Sequence, residues 1–225
     1  MRRVKFLYYI SIAALIAVGV LFVKANRYKS TISMVSTIKD KIIVMYSSNF
    51  KRMYEDSKQR ETGDMAMLCI EGVSLLKDGG LNSVYLRLGE GTEDPYTLSG
   101  LYLEKNLDKK YKYVLIDISR AQTKYGRKYD IANKVCCPIS MIISKKSTSY
   151  DDTLLFAGRI KSIIDKKYGT LPVHIITVDD GDYNQSMGSM GMTVEIGDAA
   201  NTYDEARECL RIFCSAVLEL AGMER

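Results

Sequence analysis

The stretch Met192-Thr193-Val194-Glu195-Ile196, followed by Gly197 and then by Asn201-Thr202, decides the fold of this chain. Its apolar and β-branched residues predict a buried strand that ends just before the glycine. Thr202 or Asp204 can cap a helix, and the apolar pattern beyond them predicts that this helix runs to about residue 221. A strand that leads into a long helix is typical of an α/β domain.

The same alternation of strands and helices extends towards the N-terminus. Short apolar runs predict strands at 42–46, 84–88, 113–118, 139–143 and 173–178. Helical spacing of apolar residues predicts helices at 65–77, 98–107 and 151–167. These elements predict a three-layer α/β domain, with a central sheet flanked by helices.

The N-terminus carries a separate apolar segment. Val4 to Val23 is interrupted only by Lys5, and about 20 apolar residues are enough to cross a bilayer as a helix. A cleaved signal peptide has a shorter apolar core and a small-residue cleavage site, of which Val23-Lys24-Ala25 is a poor version. We therefore expect one transmembrane signal anchor in residues 1–25, a basic juxtamembrane linker in 26–41, and a folded domain in 42–225.

Charge limits the possible partners but does not orient the anchor. Basic residues lie on both sides of the apolar run, so the positive-inside rule does not decide which side the domain occupies. The net charge is +5, and Arg2, Arg3 and Lys5 precede the run, which leaves about +2 for the rest. That excess is too small to indicate nucleic-acid binding by charge.

Cysteine and histidine usage limits the possible chemistry. None of the five cysteines forms the C-x-x-C pair of a structural zinc site, and buried free thiols are the expected state for most of them. The chain contains a single histidine, His174, in the middle of a predicted strand. A surface or core histidine whose hydrogen bonds are satisfied is a simpler interpretation of His174 than a metal ligand.

Residues 96–221 resemble the stage II sporulation protein P family, whose zinc amidase domain cuts cell-wall peptide stems. Asp117-Ile118-Ser119-Arg120-Ala121 lies where that family has Asp-Ile-His-Arg-Asp, and Tyr183-Asn184-Gln185 matches its Tyr-Asn-Gln. The closing residues of the family's domain are matched by Glu195, Gly197, Asn201 and Thr202. The resemblance implies an amidase-like fold for the domain.

The resemblance also implies a zinc site that this sequence does not supply. Amidases of that family hold zinc with two histidines and a carboxylate, leaving a position for water, and a glutamate at the place of Glu195 serves as base. Here Met45-Tyr46-Ser47-Ser48-Asn49 stands in place of the first histidine motif and Ser119 in place of the second. A serine hydroxyl is a weak zinc ligand, so we expect no zinc and no other cofactor.

Four residues are the candidate site residues. Glu195 holds the position of the vestigial base, and Arg120, Asn184 and Gln185 are candidates for binding a ligand. Each also has a structural interpretation. Glu195 and Arg120 could form an ion pair, because an unpaired buried charge is costly, and Asn184 and Gln185 could order the rim of the cleft through hydrogen bonds to the backbone.

Three functions follow from this sequence. The first is a catalytically inactive amidase-fold protein, anchored in the cell membrane with its domain on the outer side, that binds peptidoglycan or another sporulation membrane protein. By resemblance it would act in engulfment, between mother cell and forespore. The second is an active N-acetylmuramoyl-L-alanine amidase with rearranged ligands from cysteines or carboxylates and Glu195 as base. The third is a structural membrane protein whose domain only pairs with a partner chain.

Overall fold

The computed structural model describes residues 38–57 and 63–222. The anchor expected in residues 1–25, and all of the linker except its last four residues, lie outside this part of the chain. Within the described ranges, no helix combines the length and the apolar character that a membrane span requires.

The described residues form an alternating series of strands and helices, with one short 3₁₀ turn at Gln185–Met187. The strands are β1 (Ile42–Tyr46), β2 (Ser83–Tyr85), β3 (Tyr113–Ser119), β4 (Tyr129–Ile131), β5 (Lys134–Cys136), β6 (Ile139–Ser144), β7 (Val173–Val178) and β8 (Met190–Ile196). The helices are α1 (Asp64–Asp78), α2 (Pro95–Asn106), α3 (Tyr150–Lys167) and α4 (Tyr203–Leu220).

Six of the strands make one mixed sheet in the order β2-β1-β3-β8-β6-β7. The pairs β1–β2, β1–β3, β3–β8 and β6–β7 are parallel, and β6 runs antiparallel to β8. Strands β1, β3 and β8 therefore end at the same edge of the sheet, which brings the residues that follow β1 and β3 close to the end of β8.

The two faces of the sheet are covered very differently. One face packs against α1, α3 and α4 and carries the large apolar core, with Met45, Ile116, Met192 and Val194 pointing into it. On the opposite face a small cluster that includes Tyr46 and Leu115 packs with Leu103 of α2. Because α2 covers only part of this face, an open cleft remains above β3 and β8.

The structure confirms the α/β domain with a central sheet flanked by helices, and it shifts some of the predicted boundaries. Helix α2 begins at Pro95 because the carboxylate of Asp94 accepts hydrogen bonds from the backbone of Tyr96 and Thr97. The hairpin β4–β5 was not predicted from the sequence. Its turn residues, Ala132 and Asn133, both have positive φ, which is the conformation of a tight two-residue turn.

Candidate functional site

The alternation of side chains along β3 and β8 builds the floor of the cleft. Asp117 and Ser119 point to the open face of the sheet, because their neighbours Ile116 and Ile118 point into the main core. Glu195 lies directly opposite Ser119 in the register of β3 and β8. The two positions where the resemblance implies a histidine ligand and a base, Ser119 and Glu195, are therefore adjacent.

Arg52, in the loop that follows β1, reaches into this floor. Its Nη1 donates hydrogen bonds to Oγ of Ser119 at 3.0 Å and to the backbone carbonyl of Arg120 at 2.7 Å. The same nitrogen lies 3.8 Å from Oε1 of Glu195, and both side chains are about one-fifth exposed (21%). A guanidinium group thus contacts both Ser119 and Glu195.

Burial raises the pKa of Glu195, and the positive charges of Arg52 and Arg120 oppose that shift. The carboxylate is partly shielded from water, and its ion pair with Arg52 is long. Glu195 is therefore held near the cation without a close, fully formed salt bridge.

The sequence suggested an ion pair between Glu195 and Arg120, and this prediction is wrong. Among the described residues, the ion-pair partner of Glu195 is Arg52. Arg120 follows Ser119, the last residue of β3, and its side chain hydrogen-bonds to backbone carbonyls instead of pairing with Glu195. Its Nε donates to the carbonyl of Met53 at 2.6 Å and its Nη1 to the carbonyl of Ala121 at 3.0 Å. Arg120 therefore stabilises the loop after β1 by donating to Met53, and Arg52 contacts Glu195.

Asp117 is a fully buried carboxyl group beneath the cleft. Its Oδ1 accepts a hydrogen bond from the backbone N–H of Ser48 at 2.9 Å, whereas its Oδ2 has no hydrogen-bond partner among the described residues. Burial raises the pKa of Asp117 to about 7, although the hydrogen bond from Ser48 and the charge of Arg52 oppose the shift. This carboxyl group therefore changes its protonation state near neutral pH.

Asn184 joins the rim of the cleft to α2. Tyr183 and Asn184 both adopt positive φ, an uncommon conformation for side chains with a Cβ. In this turn Nδ2 of Asn184 donates to the carbonyl of Tyr96 at 2.8 Å and to Oγ of Ser99 at 2.9 Å. The ring of Tyr183 meets the ring of Tyr96 edge-on, with centroids 4.8 Å apart. The Tyr-Asn motif thus fixes the position of α2 above the open face.

The assignment of Gln185 as a binding residue needs correction. Its side chain is buried, and its Oε1 accepts a hydrogen bond from the backbone N–H of Ser144 at 2.8 Å. Its Nε2 donates to the carbonyl of Ile142 at 3.1 Å. Both ends of the amide are used by β6, so Gln185 orders the rim from inside and does not reach a ligand.

The donor atoms in the cleft do not fit zinc. Oγ of Ser119 accepts a hydrogen bond from a cation, and Oγ of Ser48 donates to Oγ of Ser99 at 2.8 Å. In the part of the chain that the structure describes, no three histidine, cysteine, aspartate or glutamate side chains are grouped so that they could hold a metal ion. A guanidinium carries the positive charge on the cleft floor.

His174 does not complete a metal site either. It lies on the edge strand β7, opposite Ser140 of β6, and Ser140 in turn lies opposite Glu195. Within the described residues, His174 belongs to no group of three histidine, cysteine, aspartate or glutamate side chains that could hold a metal ion.

The sequence did not reveal Arg52 or Asp117 as site residues. Arg52 lies in a polar stretch to which the sequence assigns no strand or helix, and Asp117 entered only as part of the stretch that resembles the family. Arg52 follows the end of β1, and Asp117 lies near the end of β3, at the edge of the sheet where these parallel strands end. A charged residue at that place is the pattern that would identify them.

Comparison with known proteins identifies the family of this chain. The sequence profile of the family described as stage II sporulation protein P matches residues 82–218, more than half of the chain. The chain belongs to this family. The stage II sporulation protein P of Bacillus subtilis is 26% identical over 137 residues, which are 59% of this chain and 32% of the relative. The match therefore spans about a third of the length of that curated relative.

Solved amidase structures share the fold of this family member. The CwlD amidase from Clostridioides difficile, determined in complex with the GerS lipoprotein, has a TM-score of 0.53 at 10% identity, covering 82% of this chain and 100% of CwlD. The N-acetylmuramoyl-L-alanine amidase AmiC2 of Nostoc punctiforme has a TM-score of 0.50 at 11% identity, covering 81% and 95%. At these identities the likeness establishes the fold alone.

Proposed function

We propose that the chain is a membrane-anchored, catalytically inactive amidase-fold protein of sporulation, whose cleft binds peptidoglycan or a partner of the engulfment machinery. The observation that carries this proposal is the position of Arg52. Its guanidinium donates to Ser119, at the place of a histidine ligand, and lies beside Glu195, at the place of the base. A cation bonded there disfavours a zinc ion through charge repulsion.

The ordered rim of the cleft, formed by Tyr183 and Asn184 against α2, supports ligand binding at the cleft. Tyr96, Tyr183 and Glu195 line a cavity of about 160 Å³ over the cleft floor. A second cavity of about 320 Å³ adjoins it on the side of the loop after β1, and Arg52 lines both. Pockets with an apolar body and a few polar groups are the usual form of a ligand site.

The location is part of the same proposal. The apolar run from Val4 to Val23 supports a single-pass anchor in the cell membrane, with the domain on the outer side, in the space between mother cell and forespore. Membership of the sporulation family supports that compartment. The similarity of the fold to wall amidases supports peptidoglycan as the material that the cleft meets.

The test is an amidase assay combined with a sedimentation assay. Full-length chain in detergent is incubated with purified peptidoglycan and zinc, and newly exposed L-alanine amino termini are counted. A family member that retains both histidine motifs, on the same wall preparation, is the positive control. We expect no release above the blank, but co-sedimentation of the chain with the wall. Absence of any binding to the wall, with retained binding to another membrane protein, would instead select a purely structural role.

An active amidase with rearranged ligands is the second candidate, and one observation favours it. Burial raises the pKa of Glu195, which is the direction that suits a general base. Release of amino termini that disappears in Glu195→Gln would establish this function and overturn the first. Release that persists in that variant would point to a contaminating hydrolase.

A further inference from the structure

The cavity beside the cleft floor has an unusual charge. Its charged lining residues are Lys51, Arg52 and Arg120, opposed by Glu93. Its apolar lining is supplied by Phe50, Pro95 and Leu98. A volume of about 320 Å³ is enough for a group the size of one or two amino acids.

Two arginines line this cavity and contact each other. Nη1 of Arg52 donates to the backbone carbonyl of Arg120 itself, so the two residues are in direct contact. Burial lowers the pKa of Arg120, and the positive charge of Arg52 lowers it further. Glu195 is the nearest acidic partner of Arg52 in the described part of the chain, and it is 3.8 Å away.

Both guanidinium groups are oriented by the backbone and keep donor capacity. All the side-chain hydrogen bonds of Arg52 with described residues go through Nη1, and those of the Arg120 side chain go through Nε and Nη1. A guanidinium has five N–H donors in a planar fork that matches a carboxylate. Groups that are held in place by other bonds lose little conformational freedom when they bind a ligand.

We propose that this cavity, formed by Lys51, Arg52 and Arg120 with the apolar side chains of Phe50 and Leu98, binds a free carboxylate of a cell-wall peptide. The guanidinium groups receive the carboxylate, and the apolar wall receives the aliphatic part of the same residue. The inference rests on the proposed function, because it names the chemical group that the inactive cleft recognises. Arginine takes over the attraction for a wall peptide that a metal supplies in an amidase, but it holds an anion and leaves the peptide intact.

The test compares two ligands on the unchanged protein. Full-length chain in detergent is titrated calorimetrically with a synthetic wall stem tripeptide, and then with the same peptide whose carboxylates are all carboxamides. We expect the amide to bind about 10- to 100-fold more weakly, since charge-assisted hydrogen bonds are lost. Equal affinity for acid and amide would overturn the proposal, as would inorganic phosphate binding as tightly as the acid.

Variants then locate the site. Arg52→Ala and Arg52→Lys should both weaken binding of the acid, the lysine variant less, because it keeps the charge but loses the planar fork. Lys109→Ala is the control of equal charge, since Lys109 is exposed in the loop before β3, at the far end of that strand. Thermal unfolding of each variant shows whether it is folded. Acid binding that is unchanged in folded Arg52→Ala would place the ligand elsewhere and overturn the assignment.

The two proposals fail in different ways. If the chain sediments with peptidoglycan but binds the acid and the amide equally, the carboxylate site is wrong and the binding function stands. If the chain neither sediments with the wall nor binds either peptide, the proposed function itself is wrong.

Discussion

At the scale of single residues, Asp117 makes the stability of this protein depend on pH. Burial raises its pKa to about 7 in the folded state, against about 4 in an unfolded chain. Between those values the folded state binds the extra proton, so this group's contribution to stability falls as pH rises from about 4 to about 7 and is level beyond. The carboxyl group is thus tolerated in its protonated form and destabilises the fold when it ionises.

Replacing Asp117 by asparagine should remove this dependence. The amide oxygen can still accept the hydrogen bond from Ser48, and no charge is buried. Relative to the unchanged chain, Asp117→Asn should gain on the order of 2 kcal/mol in free energy of unfolding between pH 5 and pH 8. Urea denaturation at the two pH values measures this. Asp130→Asn, at an exposed position, is the control, and an equal gain in that variant would contradict our account of Asp117.

A second residue-scale prediction concerns the buried cysteines. Cys209 of α4 accepts a hydrogen bond from the backbone N–H of Cys137 through Sγ, and its thiol donates to the carbonyl of the same residue, both at 2.9 Å. Cys209→Ala would leave both buried backbone groups unpaired, which costs about 1–3 kcal/mol.

Cys69 provides the matched control for that substitution. It is equally buried, but its thiol has no hydrogen bond to the residues that the structure describes. Cys69→Ala should therefore show only the loss of packed volume, and Cys209→Ala should destabilise the protein by the additional amount in chemical denaturation. Equal destabilisation by the two variants would mean that the thiol hydrogen bonds contribute nothing to stability.

At the scale of secondary-structure elements, the start of α4 holds the end of β8 in place. Thr202 accepts a hydrogen bond from the backbone N–H of Glu205, and the carboxylate of Glu205 accepts one from the backbone N–H of Thr202. This capping box satisfies two backbone donors at the helix start. Asn201 adds a bond from its amide to Glu205 and accepts one from the backbone of Asp198, which ties the turn after the strand to the helix.

The cap can be tested with two substitutions at one position. Thr202→Ala should lower the free energy of unfolding by about 1 kcal/mol, whereas Thr202→Ser keeps the hydroxyl and should lie close to the unchanged protein. Equilibrium unfolding in urea compares the three chains. If alanine and serine are equally destabilising, the lost methyl group and not the cap is responsible.

The elements show how far the sequence alone could lead. The cap at Thr202, the buried strands β1 and β3 and the edge strand β7 were predictable, because each depends on residues that are neighbours in the chain. The place of Arg52 was not, since it depends on a loop that folds over β3 and contacts Ser119, 67 residues further along the chain. The same limit explains the wrong partner for Glu195, because the direction of Arg120 is set by where β3 ends.

At the scale of the whole molecule, the two faces of the sheet have separate roles. The apolar core with α1, α3 and α4 lies on one face, and the cleft residues Arg52, Ser119 and Glu195 lie on the other. Since none of these three cleft residues contributes to that core, the fold does not depend on which side chains stand in the cleft.

This separation leads to a prediction about zinc. A ligand that binds only the folded state raises its stability, by about 2.7 kcal/mol when its concentration is 100 times the dissociation constant. The cleft presents a guanidinium at its floor, so neither zinc nor a chelator should shift the midpoint of thermal unfolding of the full-length chain. A family member with both histidine motifs should be stabilised by zinc under the same conditions. Stabilisation of this chain by zinc that is lost in Glu195→Gln would show that a metal displaces Arg52, and the cleft would then have to be regarded as catalytic.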